Sequence, residues 1–144
     1  MLVDSTAFDD SVSNSYEGIS STTALNFTTV DNTAPTLSSS TPADNATGVA
    51  VDANIVLTFN ETVDTESGNI TIKKTSDNST VETISVTSSN ISGNGFVPIG
   101  GGANGTEITI NPSSNLSGST EYYVLIDASA FDDSAGNSYA GISS

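Results

Sequence analysis

The chain repeats itself. Residues 2–21 (LVDSTAFDDSVSNSYEGISS) recur as residues 125–144 (LIDASAFDDSAGNSYAGISS), with 14 of 20 positions identical at a fixed offset of 123 residues. Agreement over so long a window marks a slice of a tandem array whose unit is 123 residues long. Each unit must close its own core within that length and pass the chain on to the next, so one modest domain per unit is expected. Met1 stands where the second copy has Val124, which implies one full unit preceded by an overhang of about one motif.

Charge narrows the partners. Lys73 and Lys74 are the only basic residues against 17 acidic ones, a formal net charge of -15. Nucleic acid is excluded as a partner, because phosphate binding requires cations that displace counterions. A polybasic membrane patch is excluded for the same reason. No stretch approaches the roughly 18 apolar residues of a membrane span, so direct membrane insertion is not expected. Such an excess of carboxylates repels itself unless something neutralises it, and a divalent cation, calcium first, is the usual neutraliser. The chain has no Cys, His, Trp or Arg, which removes disulfides and Cys-based zinc sites.

Short β-rich runs separated by Ser, Thr, Asn and Gly clusters predict an all-β sandwich. Candidate strands are residues 36–41, 54–59, 70–74, 81–86, 107–110 and 122–126, with Tyr122 or Tyr123 buried. Residues 76–79 (SDNS) read as a hairpin turn, and residues 96–105 (FVPIGGGANG) as a long mobile loop.

A boundary falls at residues 29–36 (TVDNTAPT), where Pro35 makes the link stiffer than a Gly/Ser tether. Residues 1–31 then form the C-terminal part of a preceding repeat, ending in a strand over residues 22–30. Residues 32–144 form a sandwich repeat without its last strand. In a sandwich that transmits a tandem chain, entry and exit lie at opposite poles, and a link of three residues at about 3.3–3.6 Å each does not bring residues 22–30 back across the domain. The expectation is strand exchange, in which this segment fills the vacant slot of a neighbouring molecule head to tail.

Three acidic clusters are candidate metal ligands. They are Asp31 in the link; Glu61 and Asp64 in residues 60–64 (NETVD), directly after a strand; and Asp127 with Asp132, Asp133 and Asn137 in residues 131–137 (FDDSAGN), after another. The duplicate of the last contributes Asp4, Asp9 and Asp10, with Ser13 in place of Gly136, so that glycine is useful rather than obligatory. Calcium takes six to eight oxygens at about 2.3–2.6 Å, and loops at strand ends fold carboxylates and carbonyls around it. The same residue types dominate ordinary β-turns. Catalysis is poorly supported. Without His or Cys only carboxylate pairs remain, Glu61 with Asp64 or Asp132 with Asp133, and the Trp platform that commonly accompanies them in glycoside hydrolysis is missing.

Residues 31–37 (DNTAPTL), 40–49 (STPADNATGV), 57–61 (LTFNE) and 132–137 (DDSAGN) together resemble the bacterial Ig-like repeats of very large surface adhesins, in particular the extender domains of RTX adhesins. The resemblance covers essentially the whole unit. It implies an Ig-like, Greek-key β-sandwich in a secreted, extracellular protein anchored at the bacterial cell surface. Adjacent repeats follow head to tail, and calcium at the junctions stiffens the rod. Carried over by position, the linker aspartate is Asp31, the post-strand acid is Glu61, and the loop resembling D-x-x-G-N is Asp133 to Asn137. The implied function is a structural extender repeat of a calcium-dependent adhesin that projects a distal ligand-binding region. The alternative is a carbohydrate- or protein-binding Ig-like module that uses the 96–105 loop or the calcium loops.

Overall fold

The structure is a computed structural model, and it describes residues 1–95 and 102–144. The chain divides into two compact units, Met1–Asp31 and Asn32–Ser144. Among the described residues there are eight strands and no helix, all of them in the second unit: β1 (Leu37–Thr41), β2 (Ile55–Thr65), β3 (Asn69–Lys74), β4 (Thr80–Ser85), β5 (Ile91–Gly93), β6 (Asn104–Ile110), β7 (Tyr122–Ile126) and β8 (Phe131–Asp133).

The strands build two antiparallel sheets. One runs β1-β2-β6-β5, with β8 also on β2; the other runs β4-β3-β7. Period-two alternation turns the apolar residues inward. Leu57, Phe59 and Val63 of β2, Ile70 and Ile72 of β3, Ile84 of β4, Ile108 and Ile110 of β6, Ile126 of β7 and Phe131 of β8 join one buried cluster. Both sheets feed it, which makes the unit a sandwich. At one end Phe59, Phe131 and Tyr139 pack together, with ring centroids 5.3 Å apart from Phe59 to each of the other two, edge to face with Tyr139 and tilted against Phe131.

β2 is the organising element. At 11 residues it is the longest strand, and two different strands share one of its edges. β1 pairs with its first half, Leu37 opposite Phe59, and β8 pairs with its last residues, Asp133 opposite Val63. Between these pairings Asn60, Glu61 and Thr62 face no strand on that edge among the described residues, and the register against β6 shifts between Thr58 and Val63. The strand therefore runs through residues 60–64, where a loop after the strand was expected. Asp132 and Asp133 likewise lie in β8 rather than in a loop. The physical reason is the second partner: β8 offers residues 63–65 a ladder that local sequence does not reveal.

Other expectations fare variously. The hairpin at residues 76–79 joins β3 to β4, with Asn78 at φ 57° and the Asp77 carboxylate accepting from the Ser79 amide at 2.9 Å. Tyr122 and Tyr123 are both half-buried, and Tyr122 packs against the core. Of the predicted loop 96–105, residues 96–101 lie outside the described residues, while Asn104 and Gly105 open β6. Residues 22–30 form no strand in the single chain: they begin in a turn, enter no ladder and are exposed. A strand without a pairing partner has nowhere to place its backbone donors and acceptors except water.

Candidate metal centre

The site begins with a local motif that the chain builds twice. In the sandwich, Ile126 and Ile142 exchange backbone hydrogen bonds at 3.0 and 2.9 Å, and the Tyr139 amide donates to the Phe131 carbonyl at 2.9 Å. In the first unit, Val3 and Ile19 exchange bonds at 3.0 and 2.8 Å, and the Tyr16 amide donates to the Phe8 carbonyl at 2.8 Å. Both copies turn through a residue with positive φ, Gly136 at 84° and Ser13 at 68°. The geometry survives the loss of glycine, at the roughly 1 kcal/mol that a side chain costs in the left-handed region.

At the centre of each motif an aspartate is locked. Asp133 Oδ1 accepts from the amides of Ala135 and Asn137, both at 2.8 Å, and its Oδ2 accepts from Asn137 Nδ2 at 2.8 Å. These donors favour the anion, so Asp133 titrates below the ordinary aspartate value, chiefly through the Asn137 side chain. Asp10 repeats the arrangement with Val12 and Asn14 and is lowered chiefly by the Asn14 side chain.

Glu61 reaches the same place from β2. Odd-numbered residues from Leu57 to Thr65 face the core, and Glu61 is the one acid on that stripe. It lies diagonal to Asp133, one pleat beyond the Val63–Asp133 pair. Asn60 stands beside it. Its Oδ1 accepts from the Thr36 amide at 2.6 Å, its amide donates to the Thr36 carbonyl at 3.0 Å, and its Nδ2 donates to Glu61 Oε1 at 3.3 Å. Asn60 opens the 60–64 cluster but was not among its candidate ligands; a polar residue inside a strand pattern directly before Glu61 was the available signal. Pro35, fully buried, fixes the approach of the chain to Thr36.

Asp31, the residue leading into Asn32, completes the set. One carboxylate oxygen each from Asp31, Glu61 and Asp133 lie within 4.8 Å of one another. Like charges gathered at that spacing repel one another, and solvent screens the repulsion at the exposed Asp31. Lys73 and Lys74 sit on β3, in the other sheet. The donor set is all oxygen, as a hard divalent cation requires. Among the described residues Asp133 already accepts from the Ala135 and Asn137 amides and from Asn137 Nδ2, so most of the four acceptor directions of its carboxylate are in use.

The other predicted ligands go elsewhere. Asn137 acts as a donor to Asp133 through its side-chain amide. Asp127 Oδ2 accepts from the Asn69 amide at 2.8 Å and ties β7 to β3. Asp64 and Asp132 face each other across the β2–β8 ladder, and neither Oδ1, though buried, has a hydrogen-bond donor among the described residues. Asp4, Asp9 and Asp10 belong to the first unit, where Asp4 is lowered chiefly by its bond to the Thr6 hydroxyl.

Two antiparallel sheets around one core define an all-β sandwich module. The family model of the bacterial Ig-like domain matches residues 31–144, and the chain belongs to that family. Its members are typically non-enzymatic structural modules and usually occur in surface or extracellular proteins. No curated protein and no solved structure matches the chain.

Proposed function

We propose that this chain is a structural extender repeat of a calcium-dependent bacterial surface adhesin of the RTX type, one segment of a stiff rod that holds a distal ligand-binding region away from the cell. The observation that carries this reading is the convergence of Asp31, Glu61 and Asp133. A cation held there would tie the residue that precedes the sandwich to β2 and β8, and would relieve the repulsion among three anions. The array supports a mechanical role over a catalytic one, because a unit repeated along a chain copies its properties at every step.

The test is a thermal melt in calcium against excess chelator, on the full chain and on its Glu61→Gln and Asp133→Asn variants. An ion that binds only the folded state stabilises it by about 2.7 kcal/mol at a hundredfold excess over Kd, or about 10 °C for a domain of this size. The expected result is a rise of that order in the parent chain and its loss in both variants. An absent rise, or one that survives both substitutions, refutes the site.

A further inference from the structure

We infer that Asn60 is the positioning residue of the carboxylate cluster: its side-chain amide, pinned by the Thr36 amide, aims Glu61 at the cation. The inference rests on the cation role proposed above for Asp31, Glu61 and Asp133. It concerns what fixes Glu61. A carboxylate held in place before the ion arrives binds it more tightly than one that must give up rotamer freedom on binding.

The ladders of β2 do not supply that hold. Between the Thr58–Glu107 and Val63–Gly105 pairs, β2 has residues 59–62 and β6 has Thr106 alone, so the pairing lapses there as a bulge. On the opposite edge, among the described residues, β1 pairs as far as Phe59 and β8 begins at Val63. Glu61 therefore sits where the strand has least support from its neighbours, on a long side chain that is half-buried.

Asn60 takes over where the ladders stop. In a regular antiparallel pair Asn60 and Thr36 would exchange two main-chain bonds. One is of that kind, the Asn60 amide donating to the Thr36 carbonyl at 3.0 Å. The Thr36 amide donates instead to Asn60 Oδ1, at 2.6 Å. An amide N–H can only donate, so this bond settles which way the Asn60 side chain faces and leaves Nδ2 on the other side. Nδ2 donates to Glu61 Oε1 at 3.3 Å. Neighbouring side chains on a regular strand point to opposite faces; these two meet where the bulge turns the backbone. With Oδ1 on Thr36 and Nδ2 on Glu61, Asn60 acts through Glu61.

Asn94 offers an internal comparison. Its amide donates to the Glu107 carbonyl at 3.1 Å, its Oδ1 accepts from the Glu107 amide at 3.0 Å, and its Nδ2 donates to Glu107 Oε2 at 3.2 Å. The bracket is the same, an asparagine that completes a ladder with its side chain and holds a glutamate. Glu107, however, does not belong to the cluster of Asp31, Glu61 and Asp133.

The experiment is calcium titration by calorimetry of the full chain and of its Asn60→Ala, Asn60→Thr and Asn94→Ala variants, with Glu61→Gln marking the binding step that belongs to the cluster. Each chain is also melted in chelator. Asn60→Thr keeps a strand-forming side chain and carries the test should Asn60→Ala not fold. The expected result is that the Asn60 variants weaken the step abolished by Glu61→Gln about tenfold or more. Asn94→Ala should lower the melting temperature in chelator and keep the parent's Kd, as any purely structural asparagine would. Two outcomes overturn the inference and leave the calcium reading standing: Asn60 variants with the parent's Kd, or an Asn94→Ala chain whose Kd weakens as much as theirs. A titration in which Glu61→Gln abolishes no step overturns the calcium reading itself, and the inference with it.

Discussion

Asp133 and Asp10 are the same residue in two settings. Each accepts from two amides and from the side chain of the asparagine four residues on, at distances that agree within 0.1 Å. The lock is local, which is why it was legible in the string DDSAGN. It also has a pH signature. The folded-state pKa of Asp133 is depressed, so its stabilising contribution is fully present above the ordinary value of 3.8 and is lost as pH falls through the lower folded value. Asn137→Ala removes the largest cause of that depression. Melts between pH 7 and pH 2 should show the variant losing stability at a higher pH than the parent. Coincident acid limbs would mean that the Asn137 bond does not favour the anion. Glu61 was legible as an acid next to a strand, but its inward face was not. The periodicity of residues 54–59 gives no reason for the strand to continue to Thr65; β8, brought there from 70 residues downstream, supplies it.

The repeated motif separates what an element owns from what its neighbours supply. Its hydrogen bonds form in both copies, and so does the aromatic pair, with Phe8 and Tyr16 at 6.4 Å against Phe131 and Tyr139 at 6.5 Å. Burial differs completely. Phe8 is 64 % exposed and Phe131 is 0 %, because Phe59 of β2 packs against the second pair. Phe59→Ala should therefore cost about 3–5 kcal/mol, read by denaturant melts. Near-ultraviolet dichroism should lose the signal of the buried rings, and a cost below about 1 kcal/mol would show that the trio does not hold the end of the sandwich. Strand positions were largely readable because alternation exposes them. β5 and β8 were not, since three residues hold too little of a period-two pattern to register.

For the whole molecule, charge is the dominant quantity. With a net charge of -15, the folded chain is held together against its own field. Raising sodium chloride from 0.01 M to 1 M shortens the screening length from about 30 Å to about 3 Å. The melting temperature in chelator should rise accordingly, and gradually. A saturable rise at low calcium concentration would add to that and belong to the carboxylate cluster alone; a melting temperature insensitive to salt would mean that the surface charges are already too far apart to matter. Composition and repetition by themselves determined the all-β class, the repeated motif and the list of acids, because these follow from residue types and their spacing. Tertiary structure decided which acids meet. Asp31, Glu61 and Asp133 come from positions up to 102 residues apart, and they converge because β1 and β8 share one edge of β2 and leave Glu61 between them. No local pattern encodes that sharing, since it depends on pairing energies that arise only when distant strands lie side by side.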